Sequence, residues 1–162
     1  MDREALVYIT AMQDGLKRKY EVMERILEMT KEQEVLVSQE VFDMDAFDET
    51  LEEKELLIYQ MQELDKGFQG VYSKMKGEIE ANKQQYKPRI LELQNSIRQI
   101  TDLGVKIQAL EQKNKTKFDF QAAKKRQEIQ GFRVNNRTAN VYNQHMTNQH
   151  QQWQSYFLDK KQ

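Results

Sequence analysis

Residues 88–110 read PRILELQNSIRQITDLGVKIQAL. Within them Ile90, Leu93, Ile97, Ile100 and Ile107 fall three and four residues apart, and Leu103 and Leu110 flank the row. A spacing that averages 3.5 returns apolar side chains to one helix face every second turn, the heptad of coiled-coil packing. A strand would instead alternate at every second residue. Gly104 occupies the core slot between Ile100 and Ile107. A residue that small lets a neighbouring helix come close, and a row of this kind is ordinary bundle core.

The rhythm extends toward the N-terminus. Leu6, Ile9, Leu16, Tyr20, Met23 and Leu27, joined by Met12, form one face of a first helix predicted from about Arg3 to Ser38. That helix is roughly 50 Å long at 1.5 Å per residue. In the stretch VFDMDAFDETLEEKE, Asp45 with Asp48 reads as an N-cap and acidic first turn, with Phe42 and Phe47 covering the bundle end. A second helix then runs from about Ala46 toward Tyr86. Its stripe is Leu51, Ile58, Met61, Leu64, Phe68, Tyr72, Met75 and Ile79. Gly67, Gly70 and Gly77 each cost it about 1 kcal/mol relative to Ala, and mark either close helix approach or local flexibility. Pro88 admits two readings: the opening residue of a third helix, or a kink in one very long helix. The expectation is a turn near Lys83–Lys87. The fold class is therefore all-α, a bundle of three to four long antiparallel helices with coiled-coil-like packing.

Composition supports this reading. Charged residues make up 31% of the 162, and there is one Pro, which suits long helices better than a sheet. With no Cys there is neither a disulfide framework nor a thiolate metal site. The first residues, MDREALVYITAMQDGLKRKY, hold no apolar run of signal or membrane-span length. The expected location is cytoplasmic, without membrane insertion. The net charge of -1 conceals a division. Residues 1–81 carry 10 Lys/Arg against 20 Asp/Glu, and residues 82–162 carry 15 against 6. The acidic half is expected to lie antiparallel to the basic half, with screened surface charges setting orientation more than stability.

Residues 127–162 differ from the 1–126 body. They hold 13 Gln or Asn, and the aromatics Phe132, Tyr142, Trp153, Tyr156 and Phe157. Thr138 is placed to cap a last helix. On it Tyr142, Met146, Gln149, Trp153 and Tyr156 recur four, three, four and three apart, so they share one face, which Phe157 and Leu158 extend. A narrow aromatic stripe in an amide-rich helix is poor core material and suits docking onto another apolar helix. Aromatic rings bury large areas at low entropic cost, and Met adapts to imperfect partners. Tyr142, Met146, Trp153, Tyr156 and Phe157 are thus the candidate partner-binding residues. The same stripe would equally serve packing on the chain's own bundle or on a second copy, so a homo-oligomer stays open.

No site chemistry emerges. His145 and His150 are five apart, which does not place them on one helix face for a metal. The acidic run from Asp43 to Glu53 lacks the Gly-centred loop of a calcium hand. Neither a phosphate loop nor a nucleophile elbow is present, so no cofactor, metal or catalytic residue is expected. The basic stretch Lys113, Lys115, Lys117, Lys124, Lys125 and Arg126 raises nucleic-acid binding. The acidic half opposes a polyanion, and nucleic acid is not an expected partner.

Several segments resemble flagellar export chaperones of the FlgN family. They are Glu53-Lys54-Glu55 followed by Leu56-Leu57-Ile58, Leu64-Asp65-Lys66-Gly67-Phe68, and Ile100-Thr101-Asp102-Leu103-Gly104 leading into Gln108-Ala109-Leu110-Glu111. FRVNNRTANVY at 132–142 and SYFLDKK at 155–161 are similar as well. The resemblance implies a bundle of long helices. It also implies a cytoplasmic chaperone that binds the terminal helical segments of hook–filament junction proteins through its C-terminal part. Such a chaperone withholds its clients from assembly and delivers them to the export gate. Export gate or export ATPase components become further candidate partners, and by the resemblance Tyr142 or Tyr156 is the candidate gate contact. The rival reading is a structural coiled-coil adaptor without client delivery.

Overall fold

The computed structural model describes residues 3–126. They form three helices, α1 (Arg3–Val37), α2 (Met44–Ala81) and α3 (Lys83–Lys124). No strand occurs among the described residues. At 1.5 Å per residue α3, with 42 residues, is roughly 60 Å long. Cross-helix pairs fix the directions. Lys19 meets Asp65 and Gln33 meets Thr50, so α2 runs antiparallel to α1. Asn114 meets the Thr30 carbonyl and Gln121 that of Val37, so α3 runs parallel to α1. α1 packs along both other helices, whereas α2 and α3 approach each other little.

Each helix buries an unbroken heptad. On α1 it is Ala5, Ile9, Met12, Leu16, Lys19, Met23, Ile26, Thr30, Gln33 and Val37. On α2 it is Phe47, Leu51, Lys54, Ile58, Met61, Asp65, Phe68, Met75 and Ile79, with half-buried Tyr72 in the remaining slot. On α3 it is Tyr86, Leu93, Ile97, Ile100, Gly104, Ile107, Glu111, Asn114, Phe118 and Gln121, with Ile90 partly buried between Tyr86 and Leu93. Each fully buried Ile or Leu contributes on the order of 1.5–3 kcal/mol. The α1 row lies slightly round from the expected stripe. Leu6 is 38% exposed, and Tyr20 and Leu27 pack only at the margin of the core. Ala5, Lys19, Ile26 and Thr30 take the inner positions instead.

The helix junctions are sharper than expected. Asp43, not Asp45, caps α2, and its carboxylate accepts from the Ala46 amide at 3.0 Å. The α2–α3 turn is a single residue, Asn82. Its amide donates to the Glu78 carbonyl at 3.1 Å, and its own carbonyl accepts from Gln85 and Tyr86 at 3.1 and 3.2 Å. The Glu78 carboxylate accepts from the Asn82 side chain at 3.2 Å and from the Tyr86 hydroxyl at 3.0 Å. The turn therefore closes before the predicted Lys83–Lys87. Pro88 neither opens α3 nor breaks it. It sits in the second turn, exposed to solvent, where the carbonyl its missing N–H leaves bare can meet water.

At the opposite end Phe42, Phe47 and Phe118 close the bundle. Phe47 and Phe118 stack at 4.8 Å, and Phe42 meets both edge-on. The end cover expected of Phe42 and Phe47 is present, with a third ring from α3.

Gly67, Gly70 and Gly77 are not close-approach points. All three are exposed, and an added Cβ would meet nothing within 4 Å. Gly70→Ala and Gly77→Ala are each expected to stabilise the fold by about 1 kcal/mol. Urea denaturation checks this: an unchanged or lowered midpoint would contradict it.

Candidate partner-binding surface

The body contributes polar groups where a coiled coil ordinarily places apolar ones. Lys19 Nζ donates to Asp65 at 2.7 Å, with both side chains almost fully buried. Farther along, Lys54 Nζ donates to the Glu111 carboxylate and to Gln33 Oε1, the latter at 2.9 Å. Gln33 Nε2 donates to Thr50 Oγ1 at 3.0 Å, and Thr50 Oγ1 donates to the Phe47 carbonyl at 2.6 Å. Thr30 Oγ1 donates to the Ile26 carbonyl at 2.7 Å. Burial holds the Lys19 and Lys54 ammonium groups below the ordinary lysine range, against the opposing pull of Asp65 and Glu111. These groups are locked between helices and offer no open face to a substrate.

The outer face offers two shallow grooves along α1 and α2. One is lined by Arg18, Glu21, Val22, Tyr59, Gln60, Glu63 and Leu64. The other lies between Glu32, Val35 and Leu36 on α1 and Ala46, Glu49, Thr50 and Glu53 on α2. Arg25 stands between them, bonded to Glu28 at 2.8 Å and to Glu53 at 2.6 Å. Leu56 and Tyr59 are more than 60% exposed beside the first groove. Surface apolar residues in such a groove suit helix recognition. The sequence signal for them was Leu56 and Tyr59 standing outside the Leu51–Ile58–Met61 row.

At the Phe42 end the α1–α2 connection is held down by α3. Gln121 Nε2 donates to the Val37 and Gln39 carbonyls at 3.1 and 2.9 Å, and Lys125 Nζ to the Phe42 carbonyl at 2.8 Å. The chain leaves the described bundle here, just past Lys125. Close by, the Asp48 carboxyl is held above its ordinary value by burial and by Asp45 and Glu52. Tyr142, Met146, Trp153, Tyr156 and Phe157 lie outside the described residues, as do His145 and His150.

The described residues form an elongated bundle of three helices. Among the described residues no acidic, His or Cys cluster could hold a metal, and no helix is long and apolar enough to cross a membrane. The profile of the FlgN protein family matches residues 1–150, and the chain belongs to that family of flagellar export chaperones. No curated protein and no solved structure matches it.

Proposed function

We propose that this chain is a cytoplasmic chaperone that binds the terminal helical segments of hook–filament junction proteins and delivers them to the export gate. The 1–126 body acts as the rigid holder, and the 127–162 tail as the grip. The observation that carries this reading is the one-sided row Tyr142, Met146, Trp153, Tyr156 and Phe157 in a segment otherwise rich in Gln and Asn. Apolar client helices would pair with that row and be withheld from polymerising, without chemistry at any residue. Family membership supports the chaperone role and leaves the client and the delivery step to experiment.

Substituting Trp153 and Tyr156 by Ala should remove two anchors of the contact. Each aromatic hot spot carries about 2 kcal/mol or more, so the pair should weaken client binding at least a hundredfold. Copurification with an unassembled hook-associated protein, with circular dichroism as the fold control, is the test. Full capture by the double variant would refute the proposal, and lost helicity would show that the residues are structural.

A further inference from the structure

The outward face of the α1–α2 pair is open, because α3 meets the opposite flank of α1, through Gln13 and Glu34. Its two grooves follow one line, from Arg18 and Val22 to Val35 and Leu36 on α1. The span from Arg18 to Leu36 is roughly 27 Å at 1.5 Å per residue, the length of a helix of about five turns. Apolar surface lies along this line. Half-buried Val22 and Leu64 line the first groove, with Leu56 and Tyr59 exposed beside it. Val35, 60% exposed, lines the second. Two apolar footholds on one straight face suit a docked helix better than a small ligand.

Charge selects the occupant. The second groove is lined by Glu32, Glu49 and Glu53 and by no Lys or Arg. Of these three, only Glu53 has a cationic partner among the described residues, Arg25 at 2.6 Å. Arg25 is shared with Glu28 at 2.8 Å, so its charge is already answered within the face. The first groove adds Glu21 and Glu63 against Arg18. Such a face repels an acidic helix and draws in one that carries Lys or Arg. A second copy of this chain could offer α3, where Lys124 lies over the exposed ring of Phe120. But α3 lies on the far side of α1 from the grooves, so that contact would repeat head to tail into an open chain instead of closing into a dimer. The face therefore fits a helix of another protein.

We propose that the α1–α2 face docks a basic amphipathic helix of a partner protein, with apolar side chains against Val22, Leu64 and Tyr59 and with Lys or Arg between Glu32 and Glu49. This docking is independent of the tail reading above. The probe is a fluorescent Leu–Lys amphipathic peptide of about 18 residues, matched to the length of the face, with its Leu–Glu counterpart as control. Anisotropy against the full chain at physiological salt is the readout. Glu32→Lys with Glu49→Lys should weaken binding about tenfold or more, as should Leu56→Ser with Tyr59→Ser. Asp102→Lys with Asp119→Lys makes the same change in net charge on α3, and screening should keep its effect within about twofold. All six side chains are exposed, so the variants should fold, as circular dichroism checks. Equal weakening by the two charge reversals, or equal binding of the Leu–Glu peptide, would overturn the docking site. Loss of binding by the Trp153→Ala/Tyr156→Ala chain would assign the peptide to the tail and also overturn it. Unchanged binding by that chain supports the docking, whatever becomes of client capture. Oligomers of the chain alone in sedimentation, dissolved by Glu32→Lys with Glu49→Lys, would give the face to a second copy and overturn the partner reading.

Discussion

Lys54→Met is expected to destabilise the bundle by roughly 3–5 kcal/mol, the cost of leaving a buried charge without its partner. Lys54 is 4% exposed and Glu111 8%. Removing the ammonium strands the Glu111 carboxylate between helices and frees Gln33 Oε1 of a donor. The double variant Lys54→Met with Glu111→Leu should regain most of the loss, because apolar side chains of similar volume escape the desolvation that the pair endures. A double-mutant cycle in urea measures the coupling. If the single and double variants lose the same stability, the pair is not coupled as the geometry indicates. The pH dependence has a definite sign. In the folded chain burial lowers the affinity of Lys54 and Lys19 for their protons. Between that lowered value and the ordinary lysine value the unfolded chain holds more protons. Stability therefore rises with pH across that window. Relative to the Lys54→Met/Glu111→Leu variant, the parent should gain stability as the solution becomes alkaline through it.

The polar seam also selects an alignment. Sliding α2 by one heptad against α1 would set Lys19 opposite Ile58 or Tyr72 instead of Asp65. An apolar heptad alone would tolerate that slip, whereas an unpaired buried ammonium would not. The pairs thus contribute little net stability over an apolar core and much to the choice of one register.

The same polar positions explain where the sequence was legible and where it was not. Rows of Ile and Leu in α3 announce the heptad directly. In α1 the inner row contains Lys19, Thr30 and Gln33, so apolar periodicity points to the neighbouring face with Tyr20 and Leu27. Nothing local says that Lys19 will find Asp65, forty-six positions away. The Asn82 turn was concealed by Pro88, the stronger local breaker, because a one-residue corner held by Glu78 and Tyr86 depends on side chains from both helices. Asp43 and Asp45 are equally good caps by type, and the position of Ala46 decides between them. Of the candidate site, the aromatic row is legible as a pattern. The α1–α2 grooves are not, since they exist only once two helices have paired.

Phe118→Ala should be the most damaging single truncation at the Phe42 end, at roughly 3–5 kcal/mol. The ring is 4% exposed, stacked on Phe47 at 4.8 Å and edge-on to Phe42 at 5.8 Å. Aromatic pairs of this geometry add about 0.5–1.5 kcal/mol beyond buried area. The effect should be felt beyond the cavity. Phe42 belongs to the short connection between α1 and α2, and α3 holds that connection through Gln121 and Lys125 as well. Without the Phe118 ring the connection keeps its hydrogen bonds to α3 but loses its apolar floor. Amide exchange should accelerate most at residues 38–43 and in the last turns of α3, and least near Asn82. Phe118→Leu fills most of the space and should recover more than half of the loss. A loss spread evenly over all three helices would mean that the Phe cluster is part of one cooperative core. A loss confined to this end would mean that the polar layer at Lys54 and Glu111 insulates the rest of the bundle, so that the end from which the tail departs can loosen by itself.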